Sequence, residues 1–280
     1  MKRLKEHLAK QKGSHSGWPL EKPYENLVAH MKVVQSATNE EHLEAILASV
    51  DKSTVVRDKL VEYEWVRKLV SVSLAAKFQV TRAGRTALMQ IEKLKSEGNK
   101  PIENPVVILA GGCNAEVEAQ MGAYRRLILE AFRFFKGTIV SGGTPWGISG
   151  LVGEAQQKYR NTLRTVGYVP KAKIDLLDKR YSEIRLTDGK DFSPNEPLQY
   201  WIDIITSGIK SPDVKLLGID GGKISAFEYR LALALGARVA IVKDSGLEAD
   251  KLLLDKDWNN SRNLISVTND PLSVGAFLGA

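Results

Sequence analysis

The chain has 280 residues, 43% of them hydrophobic and 26% charged, with a formal net charge of +7. That suits one large soluble domain or two smaller ones, expected in the cytoplasm. It excludes a bilayer span, which needs roughly 18 consecutive apolar residues. The single cysteine, Cys113, excludes an internal disulfide. All four histidines (His7, His15, His30, His42) precede residue 50, so no metal site, triad or histidine base is expected in the second half. The basic start, MKRLKEHLAKQKGSHSG, lacks the apolar core of a signal peptide.

Helical spacing of Leu27, Val28, Met31 and Val34 predicts a helix over Tyr24–Ala37. Asn39 is placed to cap the next helix, EEHLEAILASV, and Ser53 to open a longer one through Glu62, Trp65 and Leu69. In LVSVSLAAKFQVT, two alternating β-prone runs around Leu74-Ala75-Ala76 predict a short hairpin. A helix over Ala83–Lys95 and a polar linker at 96–105 follow. Helix, helix, hairpin, helix resembles a winged-helix domain, and TRAGRTALMQIEKL resembles the helix after the wing in bacterial regulators. The resemblance implies a module over residues 1–99 for dimerisation or partner docking. DNA is a disfavoured partner, because Asp58, Glu62 and Glu64 offset Arg57, Lys59, Arg67 and Lys68 on the reading helix.

From residue 100 to 280 the pattern changes to β/α alternation. Val106–Ala110, Thr138–Ser141, Thr165–Val169, Val214–Ile219, Arg238–Val242 and Asn263–Val267 read as buried strands. Helical runs over Ala115–Phe135, Ile148–Tyr159, Leu198–Ile209 and Ser225–Leu235 separate them. The expected fold is α/β, a Rossmann-like doubly wound parallel sheet whose ligands sit beyond the carboxyl ends of the strands. The charged stretch Lys171–Pro197 reads as an irregular insertion that covers the pocket.

Three strands end in glycine pairs: Gly111-Gly112, Gly142-Gly143 and Gly221-Gly222. Each pair puts backbone amides near a helix start, where an anion is favoured. Around them, Gly111, Gly112, Cys113, Asn114, Ser141, Gly142, Gly143, Thr144, Trp146 and Gly147 form the first group of ligand-binding candidates. Gly221, Gly222, Lys223, Ser225 and Glu228 form the second, and Lys171 is an anion contact or a solvated lysine. Glycines at 147, 150 and 153 clear one face of a helix start, for a diphosphate or for close helix packing. Ser225 and Glu228 have capping-box spacing; the alternative puts Ser225 on a phosphate and Glu228 on a ribose. Trp146 stacks on a base or packs in the core. Cys113, with no partner base, lines the pocket rather than acting as a nucleophile. There is neither a P-loop nor a G-x-G-x-x-G fingerprint.

The pieces VVILAGGCN, IVSGGTPWGISGLVGEA, RTVGYVP, IDGG and ARVAIVKDSG occur in the order and spacing of the SLOG superfamily, so that residues 105–250 resemble it. The likeness is nearest to prokaryotic relatives of the TRPM channel N-terminal domain, and extends to the LOG phosphoribohydrolases. The LOG signature P-G-G-x-G-T-x-x-E is met at Gly221, Gly222 and Glu228, with Ser225 for Thr; Asp220 and Ile224 depart from it. No arginine partner is evident, since Arg180 and Arg185 lie in the insertion. The resemblance implies a sensor for an NAD-derived nucleotide such as ADP-ribose or a cyclic form, as in defence-associated SLOG domains. It also implies a homo-oligomer. No cofactor, metal or membrane partner is expected, and any output is expected from residues 1–104, from oligomerisation or from a separate effector protein. The alternatives are a nucleotide N-glycosidase with Glu228 as its catalytic residue, and a nucleotide-gated winged-helix regulator.

Overall fold

The structure is a computed structural model that describes residues 21–52, 60–113 and 118–279. Its centre is a seven-stranded parallel sheet in the order β4-β3-β2-β1-β5-β6-β7. The strands are β1 (Val106–Gly111), β2 (Gly137–Ser141), β3 (Leu163–Pro170), β4 (Glu183–Thr187), β5 (Lys215–Ile219), β6 (Arg238–Val242) and β7 (Leu264–Val267). From β1 the chain winds outward to β4, then returns to pair β5 against β1 and winds the other way. The switch point therefore lies between the carboxyl ends of β1 and β5, where open α/β sheets bind ligands.

Alternate side chains of the central strands enter two cores. Ile108, Ala110, Val140 and Leu216 face one side, with the helices α1 (Glu21–Ser36), α2 (Glu40–Lys52), α3 (Leu60–Lys77), α4 (Arg82–Glu92), α8 (Asn195–Thr206) and α9 (Lys223–Leu235). Val107, Leu109, Ile139 and Leu217 face the other. There they meet α5 (Glu118–Gly122), α6 (Arg125–Ala131), α7 (Gly147–Lys158) and α11 (Pro271–Leu278). Helix α10 (Leu247–Leu254) joins β6 to β7.

Every strand predicted within residues 100–280 forms, and three expectations are corrected. Leu74-Ala75-Ala76 is no hairpin, because α3 runs through it to Lys77. The wing of the winged-helix arrangement is thus replaced by a helix. The Val-Ser-Val-Ser alternation mimics a half-buried strand, but α3 is covered on several sides, with Leu69, Val70, Val72, Ser73, Leu74 and Ala75 all buried. Ser73 tolerates this because its hydroxyl donates to Leu69 O at 2.6 Å, one turn back. The proposed Ser53 cap lies outside the described residues.

Second, the stretch 171–197 is not irregular: after a 3-10 turn at Lys171–Leu176 it supplies the edge strand β4. Its charges hid it. Arg185 points inward at 3% exposure and pairs with Asp203 of α8, itself 2% exposed. Third, the described part of the 115–135 connector, residues 118–135, holds two short helices broken at Ala123-Tyr124 rather than one continuous helix. Asn39 caps as expected, its Oδ1 accepting from the His42 amide at 3.2 Å.

The polar linker at 96–105 is tightly held. The Ser96 amide and hydroxyl donate to Asp203, Arg185 donates to Lys100 O, Arg164 to Pro101 O, and Ile102 N to Ser207 Oγ.

Candidate functional site

The β1 and β5 turns meet as the sequence predicts. The Ser225 hydroxyl donates to Gly111 O at 3.1 Å, tying the start of α9 to the end of β1. Ile148 N donates to Gly112 O at 2.9 Å, tying α7 to the same turn. A Cβ on Gly147, which has φ +58°, would lie 2.1 Å from Gly112 O, so only glycine fits there. Cys113 donates to Gly111 O and is no thiolate, since burial pushes its pKa up to about 12. Asn114 lies outside the described residues.

The β2 turn is consumed by packing. Ser141 donates to Leu109 O at 2.7 Å, and Thr144 N donates to Ser149 Oγ at 2.9 Å. A Cβ on Gly143 would meet Val169, Ile184 and Gly167 at 2.9–3.1 Å, whereas Gly142 has ordinary space around it. The stripe of glycines after it also serves packing. A Cβ on Gly150 would lie 2.3 Å from Pro145 O, and one on Gly153 would lie 2.1 Å from Asp178 Oδ2. What approaches that face is the Asp178–Arg180 pair, not a free surface for a diphosphate. The start of α7 is filled as well: the Gly147 amide donates to the Glu118 carboxylate. Trp146 is half-buried at the cap position of α7. Lys171 stands apart, ion-paired on the surface with Asp188 at 2.7 Å.

Helix α9 begins differently. Its cap is Gly222, with no side-chain cap, so Ser225 and Glu228 form no capping box. Gly222 and Lys223 are exposed, and a Cβ on Gly222 would meet nothing within 4 Å. The amides at this 13-residue helix start open outward at the switch point. Two turns along, Glu228 is half-buried and accepts from Tyr200 of α8 at 3.4 Å. Burial raises its pKa to about 8, against the Tyr200 hydrogen bond and with help from the Glu196 carboxylate. Burial also raises Glu196 to about 7; it accepts from Ser193 N at 2.7 Å and from the Thr187 hydroxyl. Next to Glu196, Asn195 Oδ1 accepts from Lys68 of α3 at 2.6 Å.

Sequence reasoning missed Asp220, Glu118, Glu196, Tyr200 and Lys68. Asp220 was legible as the departure from the LOG signature. The other four meet their partners, Gly147, Thr187, Glu228 and Asn195, only through tertiary packing.

A family model described as SLOG in TRPM, prokaryote, matches residues 104–273, from the first strand to the last helix. The chain belongs to this SLOG family. The match covers the whole sheet and leaves the four N-terminal helices outside. Among solved structures, TM1055 is similar at 18% identity over 62% of this chain and 98% of its own, with a TM-score of 0.48. The molybdenum cofactor carrier protein MCP from Chlamydomonas reinhardtii is similar at 16% identity over 65% and 97%, with a TM-score of 0.45. Likenesses at those scores carry no argument about the ligand of this SLOG domain. A search of the curated proteins finds no match. Among the described residues no helix is long and apolar enough to cross a membrane, and no group of three or more His, Cys, Asp or Glu side chains could hold a metal ion.

Proposed function

We propose that this SLOG domain binds an NAD-derived nucleotide of the ADP-ribose type and acts as a sensor rather than as an enzyme. The observation that carries the binding reading is the uncapped start of α9 at Gly222-Lys223, exposed at the switch point and tied by Ser225 to the β1 turn. An anion is stabilised there by the amides, the helix dipole and the Lys223 cation. The β2 turn and the start of α7, already filled by the protein's own groups, serve as scaffold.

The rival reading, an N-glycosidase, rests on Glu228 beside Tyr200. Cleaving a glycosidic bond builds positive charge on the ribose, which an ionised carboxylate stabilises. Both nearby carboxyls are pushed toward their neutral forms, Glu228 to about 8 and Glu196 to about 7. The two arginines of this region are occupied, Arg180 by Asp178 and Arg185 by Asp203 and Glu183. That environment favours holding a ligand over breaking it. The DNA-regulator reading has lost the hairpin on which it depended.

The test is incubation of the full chain with ADP-ribose, cyclic ADP-ribose, NAD and AMP, followed by thermal shift and mass spectrometry of the small molecules. A raised Tm with ligand recovered intact is the expected result. Release of free base, abolished in Glu228→Ala, would establish the enzyme instead. No shift with any of the four would end the nucleotide reading.

A further inference from the structure

The described residues hold four buried acidic side chains: Asp178, Glu196, Asp203 and Asp220. Three are fully engaged. Asp178 accepts from Arg180, Glu196 from Thr187 and Ser193, and Asp203 from Arg185, Tyr168 and Ser96. Asp220 differs: it is 0% exposed, and its carboxylate oxygens have no side-chain partner, the Gly221 amide of the same turn being the one donor that lowers the cost of its charge. Its backbone is fixed. Its amide donates to Ser245 Oγ at 2.9 Å, and its carbonyl accepts from Tyr229 and from Ala249 N. The residue is held in the left-handed region at φ 56°, directly before the Gly221-Gly222 turn. A Cβ on Gly246 would lie 3.0 Å from Asp220 Oδ1 and 3.8 Å from Gln120 Nε2, so the carboxylate lies in the wall between the β5 turn and α5. A buried carboxylate short of donors is costly, and a protein that gives its other buried acids side-chain partners gives this one none.

We infer that the Asp220 carboxylate accepts the hydroxyls of a ribose diol and makes the site selective for ribonucleotides. A rigid acceptor whose two oxygens no side chain claims matches two adjacent hydroxyl donors, and the phosphate-binding helix start is the next element along the chain. The inference rests on the nucleotide reading and deepens it. It also gives Asp220 a function at the position where the LOG signature has proline.

The experiment is titration calorimetry of the full chain with AMP, 2′-deoxy-AMP and 3′-deoxy-AMP, on wild type and Asp220→Asn. Asparagine keeps the shape and tolerates the left-handed backbone, but replaces one acceptor by a donor. Wild type is expected to favour AMP by about tenfold or more, since a site built to bind a hydroxyl rejects the analogue lacking it. Asp220→Asn is expected to bind all three within about twofold of one another, with an unchanged or raised Tm. Equal binding of AMP and its deoxy analogues by wild type overturns the inference and leaves the nucleotide reading standing. So does a preference retained in Asp220→Asn. A Tm rise with magnesium chloride alone, seen in wild type and lost in the variant, would make Asp220 a cation ligand instead. If wild type binds none of the three and no ADP-ribose-type compound, both readings fall.

Discussion

Removing Asp203 should unfasten the N-terminal helices from the sheet. Its carboxylate accepts from Arg185 Nη1, Tyr168 Oη and Ser96 Oγ at 2.7 Å each, and from Ser96 N at 2.9 Å. In Asp203→Ala the Arg185 guanidinium, 3% exposed, keeps Glu183, Lys100 O and a longer hydrogen bond to Tyr168 Oη at 3.3 Å. Breaking a buried pair from one side costs about 3–5 kcal/mol. Because Glu183 remains, about 3 kcal/mol is expected, or a fall of roughly 6–12 °C in Tm for a chain of this size. The measurement is urea unfolding of the full chain, with Asp203→Asn, Arg185→Met and the Asp203→Ala/Arg185→Met double variant. The double variant should recover part of the loss, because it leaves no uncompensated charge. A loss under about 1 kcal/mol in Asp203→Ala would refute the reasoning and show the cluster to be well hydrated.

Three further outcomes test the site. Gly222→Ala should leave Tm nearly unchanged, since its Cβ meets nothing within 4 Å and its φ of −96° suits any residue, yet weaken AMP binding about tenfold or more by blocking approach to the amides; equal affinity by calorimetry would move the phosphate elsewhere. Glu118→Gln removes the charge seated at the start of α7 and should leave AMP affinity within about twofold, since the phosphate sits at the start of α9; a gain of about fivefold or more, absent with adenosine, would place the phosphate at α7 instead. Glu228 has a folded pKa of about 8 against 4.5, so the native state binds more protons and its stability falls as pH rises from about 4.5 through 8. Glu228→Gln lacks that loss. Its stability relative to wild type should therefore climb across that window and level off above it, and a pH-independent difference in urea midpoints would show Glu228 to titrate normally.

The parallel sheet was legible because its central strands are continuous apolar runs, and the glycine pairs marked their carboxyl ends. The edge strand β4 was not, because E-I-R-L-T carries charges whose partners, Asp203 and Arg164, are distant in sequence. The alternation at Leu69–Leu74 misled for a related reason. Period alone does not separate a strand from a helix that is buried on several sides. At the site, glycine pattern predicted which backbones approach closely, but not what approaches them. Gly147, Gly150 and Gly153 look alike in sequence, and the structure fills all three with its own atoms. Gly222 alone of the tested turn glycines faces open space while starting a helix.

Helix α8 connects the two halves of the sensor reading. At its first turn Asn195 meets Lys68 of α3, and Glu196 lies within electrostatic reach of Glu228. One turn on, Tyr200 donates to Glu228 itself. Near its end Asp203 holds the linker through Ser96, and Ser207 holds Ile102 just past the helix. A ligand that reaches Glu228 is thus one hydrogen bond from α8, a helix that packs on β3 and β4 and also on the N-terminal helices and their tether. Contact alone does not transmit a signal. The ligand must bind one arrangement of α8 more tightly than another, and moving a population from 1:99 to 99:1 takes roughly a 10⁴-fold difference in affinity. Tyr200 and Glu228 are the groups placed to supply it. A ligand hydroxyl that took the Tyr200 hydrogen bond, or a cationic group that ionised Glu228, would change a polar contact that joins α8 to α9. Tyr200→Phe should then weaken AMP binding and abolish any ligand-dependent change in proteolytic protection of the 96–102 linker; protection that persists in the variant would place the coupling elsewhere.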